Sequence, residues 1–239
     1  MAQGRGQAQG QGQGRGRGRA TPAVAPKPKS PRLPASLTEV DGPLLPDDVA
    51  EAVLRGDFTS EAREQLVVER SRIVQAQFTG ATCSRMRLTD VIIESADFSG
   101  TEFDESSFNR VEFRDCRMSG VLLTRCEFRD VVLSGCRIDQ ANLRMSETKA
   151  VTFEGCDLRG SDFYGADLSG VRFFDCDLTG AEFSTAKTPG VQFHGSNLTG
   201  LKGAQALAGA VIDSAQVYPV ALGLLSELHI QIDDERDGS

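Results

Sequence analysis

Histidine is almost missing from this chain. The two that occur, His194 and His229, lie in separate modules, and neither has an acid or a nucleophile at a catalytic spacing. The six cysteines contain no Cys-x-x-Cys, and from Cys116 to Cys176 their spacings are multiples of ten, so metal-clip patterns are absent. No glycine-rich stretch leads into a helix; Gly155, Gly160, Gly165, Gly170 and Gly180 recur at a fixed interval instead, which removes a phosphate cradle. No apolar run is long enough to span a membrane, and the N-terminus has no apolar signal-peptide core. These shortages argue against an enzyme, a cofactor, a metal site and a membrane segment, and they make cytoplasmic residence the expectation.

Charge is present but unevenly placed. Residues 1–33 carry seven Lys or Arg and no acid, while the rest of the chain holds 19 Lys or Arg against 34 Asp or Glu. Residues 1–37 are Gln/Gly/Arg-rich and then Pro-, Ala- and Lys-rich, and such a composition predicts a disordered basic tail. Arg5, Arg15, Arg17 and Arg19 suit phosphate neutralisation on a nucleic acid. The tail has no aromatic residue to stack on bases, which favours a merely solubilising role.

The central stretch has a rhythm of five. From Ile73 every fifth residue is large and apolar (Phe78, Leu88, Ile93, Phe98, Phe103 and on to Leu198), with Cys83, Thr148 and Thr188 the weak beats. Neither a helix, at 3.6, nor a strand, at 2, keeps that spacing on one face, so the chain must turn by a fixed amount every five residues. At a spacing of twenty the columns become uniform. Val91, Val111, Val131, Val151, Val171, Val191 and Val211 form one, and Cys116, Cys136, Cys156 and Cys176 another. Twenty residues therefore make one four-sided coil, and coils stack about 4.8 Å apart. Between Leu66 and Gly200 about six to seven coils fit, a rod roughly 30 Å long in which each coil completes its neighbour's core. Stacked thiols lie within the Cα range of a disulfide, but buried reduced cysteines are the favoured reading. Thr148 and Thr188 share a column, where a buried hydroxyl needs a partner and local irregularity is expected.

Units such as Ala166-Asp167-Leu168-Ser169-Gly170, Cys176-Asp177-Leu178-Thr179-Gly180 and Ser196-Asn197-Leu198-Thr199-Gly200 resemble the pentapeptide-repeat family. The resemblance implies an all-β solenoid, a right-handed quadrilateral parallel β-helix, with the central residue and the residue two before it pointing inward. The domain reading is then a tail at 1–37, short helices at 38–65 capping the first coil, the β-helix at 66–212, and a C-terminal helix with an acidic tail at 213–239. Pro46-Asp47-Asp48 and Ser60 supply the helix-start signals for the cap. Val217, Val220, Leu224, Leu225 and Leu228 recur at helical spacing, with Pro219 in the first turn. That face either caps the last coil or pairs with a second copy, as C-terminal additions do in the resembling family. His229 to Ile232 alternates like a brief strand.

With catalysis set aside, function falls to the outer faces. Outward apolar residues are few (Ile92, Leu122, Val132, Tyr164, Phe174), with Phe174 and His194 one coil apart on one edge. Residues 71–146 are nearly balanced in charge. Residues 147–186 hold eight acids, among them Glu154, Asp157, Asp162, Asp167, Asp177 and Glu182, against three bases. The leading reading is a non-catalytic scaffold for a protein partner. The alternative comes from the resemblance: some family members imitate duplex DNA and bind DNA gyrase or topoisomerase IV, giving quinolone or toxin resistance. Arg117 and Arg137, in line with Asp97, Asp157 and Asp177, count against a continuous phosphate imitation.

Overall fold

Every fifth residue from Ser60 to Gly200 has a positive φ, between 45° and 74°. Most of these corner residues are not glycine, although the left-handed conformation costs other residues roughly 1–2 kcal/mol. The fold imposes it: corner N–H groups such as those of Gln75, Ser95 and Asp115 each donate to a carbonyl of the next coil at 2.9–3.0 Å. The computed structural model describes residues 26–41 and 47–231.

Eleven strands occur among the described residues. They are β1 (Thr38–Asp41), β2 (Asp48–Ala50), β3 (Ala52–Arg55), β4 (Ala62–Glu64), β5 (Val67–Val74), β6 (Thr82–Ser84), β7 (Arg87–Glu94), β8 (Ser107–Arg114), β9 (Glu127–Ser134), β10 (Glu147–Glu154) and β11 (Arg172–Phe174). All pairings are parallel, and from β5 to β11 partners stand twenty apart, with Val91, Val111, Val131 and Val151 in one line. Isolated bridges continue the stacking on the other sides, one column running Asp57, Gln77, Asp97, Arg117, Arg137, Asp157, Asp177, Asn197.

Four sides follow in chain order, centred on the Ile73, Phe78, Cys83 and Leu88 columns. Their central residues and the small residues two places earlier are nearly all buried. Phenylalanines stack on their equivalents one coil away, with ring centroids 4.9–5.2 Å apart for Phe108–Phe128, Phe153–Phe173, Phe163–Phe183 and Phe173–Phe193. Each such side chain contributes on the order of 1.5–3 kcal/mol on burial.

The small column carries a feature the apolar pattern hides. The Thr101, Ser161 and Ser196 hydroxyls and the Cys126 thiol donate to the carbonyl 23 residues earlier, at 2.7–3.0 Å. A short polar group at this position thus ties two coils together without leaving the core. All six cysteines are free. Burial pushes the Cys83 thiol up to about 11 and the Cys126 thiol up to about 12, so both stay protonated. The Thr148 hydroxyl donates to the Asp167 carbonyl at 2.7 Å and the Thr188 hydroxyl to that of Ala206. A hollow of about 240 Å³ lies beside Thr148, lined by Phe128 and by the charged residues Glu127, Arg129, Glu147 and Lys149.

Several expectations are corrected. The described part of 38–65 holds no helix; it contains β1 to β4, so coiling starts before Leu66. Pro46 lies outside the described residues. β3 pairs with β5 at a spacing of nineteen because the first coil lacks one residue at the Gly56 corner, where φ is 144°. β1 covers that exposed edge as one further parallel strand. On the third side the first coil places Arg63, ion-paired with Glu61 at 3.5 Å, above Cys83, so the rod's end is closed by a polar residue. Val211 does not extend the valine column: it stands opposite Gln192, one residue out of step.

The last coil leaves the pattern at Gly203, which holds the central place where a Phe would otherwise sit. A Cβ there would lie 2.2 Å from the Ser184 nitrogen, so only glycine fits. A 3-10 turn follows at Ala204–Leu207, its N–H groups at Ala204 and Gln205 bonded to the Glu227 carboxylate. Gln216, buried in a second 3-10 turn, continues the cysteine column and donates its amide to the carbonyls of Phe193 and Ser196. Helix α1 (Val217–Glu227) then packs Val220 and Leu224 on the core. His229 and Ile230 do not form a strand. His229, at φ 56°, ends the helix with its N–H on the Ser226 carbonyl and that of Ile230 on Leu225. The rest of the acidic tail lies outside the described residues.

The largest correction concerns residues 26–37, expected to be disordered. They run lengthwise along the corner between the fourth and first sides. The Pro26 carbonyl accepts from the Arg172 guanidinium at 3.2 Å, the Lys29 N–H donates to Asp130 at 3.1 Å, and the Arg32 N–H donates to Asp90 at 3.0 Å. Residues 1–25 lie outside the described part.

Candidate interaction surfaces

The carboxylates of the acidic segment begin as turn-formers. In a pentad the residue before the central one faces outward, and a short acid there accepts the N–H two residues ahead. Asp157 takes Arg159 at 3.3 Å, Asp162 takes Tyr164 at 2.8 Å, Asp167 takes Ser169 at 3.2 Å, Asp177 takes Thr179 at 3.0 Å, and Glu182 takes Ser184 at 2.7 Å. For the four aspartates this is the Asx turn, which Glu182 imitates with a longer side chain, and it explains the Asp or Asn of the repeat without any ligand. Each carboxylate nevertheless keeps acceptor capacity toward solvent.

The candidate residues do not form one site. Asp157 and Asp177 stack on the second side, Asp162 and Glu182 on the adjacent third. Asp167 lies on the fourth side beside Lys187 at 3.3 Å. Glu154, Phe174 and His194 follow one another on the first side, with the Phe174 and His194 rings 6.1 Å apart. His194 Nδ1 lies 2.7 Å from Asp213, which also accepts the Gly195 N–H at 2.6 Å. The Gly195 N–H and then His194 hold the Asp213 carboxyl below its usual range. That histidine fastens the final turn to the rod.

Arginines neutralise part of the acidic surface. Arg159 grips Asp157 with two nitrogens at 2.7 and 2.6 Å and lies 3.8 Å from Asp177. Its hydrogen bond is the main cause that holds the Asp157 carboxyl below the ordinary value. Arg144 covers the Tyr164 ring at 4.5 Å and reaches Asp162 at 3.2 Å. The outward apolar residues Ile92, Leu122, Val132, Tyr164 and Phe174 are all half-buried.

Helix α1 turns one side to the last coil and leaves the other exposed. Val220 and Leu224 cap the coil and Leu225 is half-buried, while Val217 and Leu228 are exposed together with Tyr218 at 72 %. No helix among the described residues is long and apolar enough to cross a membrane.

Composition did not point to Asp90, Asp130 and Arg172, which hold the N-terminal strap. The available signal was proline at 28, 31 and 34, a period of three inside the supposed tail. Asp90 is 7 % exposed and takes Arg110 at 2.6 and 2.7 Å besides the strap N–H. The Arg110 bond is the chief cause that lowers the Asp90 carboxyl.

The family description that matches the chain is the pentapeptide repeat region, over residues 67–143 and 106–183. Among solved structures the chain is similar to full-length QnrB1, a plasmid-mediated fluoroquinolone resistance protein, at 23% identity over 79% of this chain and 97% of that one, TM-score 0.38. A trypsin-treated QnrB1 gives 22%, 83%, 98% and 0.42 for the same quantities. HetL, a pentapeptide repeat protein involved in heterocyst differentiation regulation in the cyanobacterium Nostoc sp. strain PCC 7120, gives 17%, 73%, 91% and 0.37. No curated protein sequence matches.

Proposed function

The chain belongs to the pentapeptide repeat family, and from that premise we propose that it is a non-catalytic, cytoplasmic rod that presents a fixed array of side chains to a protein partner. One observation carries the reading. Asp157 and Asp177 on the second side, with Asp162 and Glu182 on the third, are stacked in register and held by backbone N–H groups. Such an array loses little side-chain entropy on binding and gives a partner complementary charges at known spacing. The test is an affinity capture that compares the wild-type chain with Asp157→Lys/Asp177→Lys. A partner held by the first and released by the second supports the rod; equal capture by both removes this surface from the account.

The acidic residues 147–186 support a second reading, a DNA imitation that occupies the cationic saddle of a type II topoisomerase. Arg117 and Arg137 in the same column, and Arg159 across Asp157 and Asp177, favour the rod over the imitation. Inhibition of purified gyrase supercoiling at micromolar protein supports the imitation, and no inhibition removes it. For assembly, the proposal is that the exposed side of α1, with Val217, Tyr218, Leu222 and Leu228, seats a second copy. Light scattering on wild type and Tyr218→Glu/Leu222→Glu decides: a dimer that becomes a monomer supports it, a wild-type monomer sinks it.

A further inference from the structure

The strap and the rod are commensurate. Lys29 bonds Asp130 and Arg32 bonds Asp90, so three strap residues span two coils. From Lys29 back to Pro26, three more residues reach Arg172, again about two coils on. An extended polyproline II segment advances about 9.3 Å in three residues, and two coils rise about 9.6 Å. Burial keeps the same beat. Pro28, Pro31, Pro34 and Leu37 are half-buried, whereas Lys29, Ser30, Arg32, Ala35 and Ser36 are exposed; Leu33 alone adds a half-buried position between beats. One ridge of a three-fold extended chain therefore lies on the corner while backbone N–H groups reach its carboxylates.

The fit leaves room. A hollow of about 430 Å³ lies between the strap and Asn109, Arg129 and Lys149. Another, of about 420 Å³, lies between Pro28 and Val132, Thr152 and Phe174. The strap is fixed at widely spaced points and its lysines remain exposed, so its attachment depends on register and proline stiffness more than on dense packing.

We propose that the corner from Asp90 to Arg172 is a binding track for an extended, proline-rich peptide, read at three residues per two coils. Residues 26–37 are its occupant in cis, and a proline-rich segment of a partner protein with the same spacing exchanges with them. This site lies on a different corner from the acidic array and goes beyond the proposed function. Proline lowers the entropy lost on docking, the Asp90 and Asp130 carboxylates select free N–H groups two coils apart, and the flanking hollows admit larger side chains than the strap supplies.

The experiment uses the full chain. A fluorescein-labelled synthetic peptide covering residues 26–37 is titrated, by anisotropy, into wild type, into Pro28→Gly/Pro31→Gly/Pro34→Gly, and into that variant with Asp130→Ala added. All substituted positions lie on the strap or the rod's outer surface, and circular dichroism confirms the coils. The expected result is binding at least tenfold tighter to the glycine variant than to wild type, weakened at least fivefold by Asp130→Ala. No binding to the glycine variant at millimolar peptide overturns the proposal, as does equal binding to the glycine variant and wild type, or indifference to Asp130→Ala. Equal binding of a peptide with alanine at 28, 31 and 34 also overturns it, since charge alone would then suffice.

Discussion

Two diagonally opposite corners of the coil are built from the same pentad and present opposite surfaces. Between the second and third sides the corner residues are mostly glycine (Gly80, Gly100, Gly120, Gly160, Gly180), and the acids stand beside them, before the central residue, bonded to their own turns. Between the fourth and first sides the corner residues are Arg70, Asp90, Arg110, Asp130 and Ala150, and eight-residue strands run straight through. There the acids stand on the corner itself, where Asp90 and Asp130 reach another segment of the chain. A shift of an acid by three places in the pentad thus decides whether it shapes its own turn or holds a strap. Asp167 shows the local half of this: where Glu147 starts strand β10, Asp167, one coil on, makes a turn by accepting both the N–H and the hydroxyl of Ser169.

Both corners rest on the same stacked core, and its loss has the largest effect. Phe173 stacks on Phe153 and Phe193 and meets Phe163 and Phe183 edge-on. Phe173→Ala should cost about 3–5 kcal/mol in urea unfolding, with both surfaces lost in one transition. Gly203→Ala drives a Cβ into the backbone of Phe183 and Ser184, and should cost about 1–3 kcal/mol. Amide exchange should show the loss concentrated in α1 and the last coil, with the strap unaffected.

Asp90→Asn sharpens the strapped corner. It should cost about 1–3 kcal/mol through the weakened Arg110 bond, and exchange at the Arg32 amide should quicken. The pH dependence has a definite sign. The folded Asp90 carboxyl is held below its unfolded value, near 3.9. Its contribution is therefore present above about pH 4 and lost as pH falls through the lower folded value. Thermal melts from pH 6 to pH 2 should show a shallower acid limb in the variant; an unchanged limb would show that Asp90 does not carry it. The smallest effect is a gain. Gln75, exposed at φ 54°, should stabilise the rod by about 0.5–1 kcal/mol when replaced by glycine, read as a raised melting temperature.

Much of the fold was legible because the interior repeats. A residue's neighbours in a stacked coil are its own equivalents, so Val111 and Val131 announce their contact by spacing alone. The ends were misread for the same reason. A first coil one residue short at Gly56 and a last coil out of step at Val211 have no equivalent on their open side, and the column test has nothing to compare there. The acidic candidates were legible as residues but not as a group, since a difference of five in number moves a side chain to another face.

By itself the sequence determined the coil, its five-residue side and the inward columns, because burying one apolar residue per pentad leaves a single periodic path. Only the tertiary structure decided where the proline-rich segment goes. Its composition contains too little apolar surface to specify a fold alone, and its order comes from carboxylates spaced two coils apart that exist only once the rod has formed.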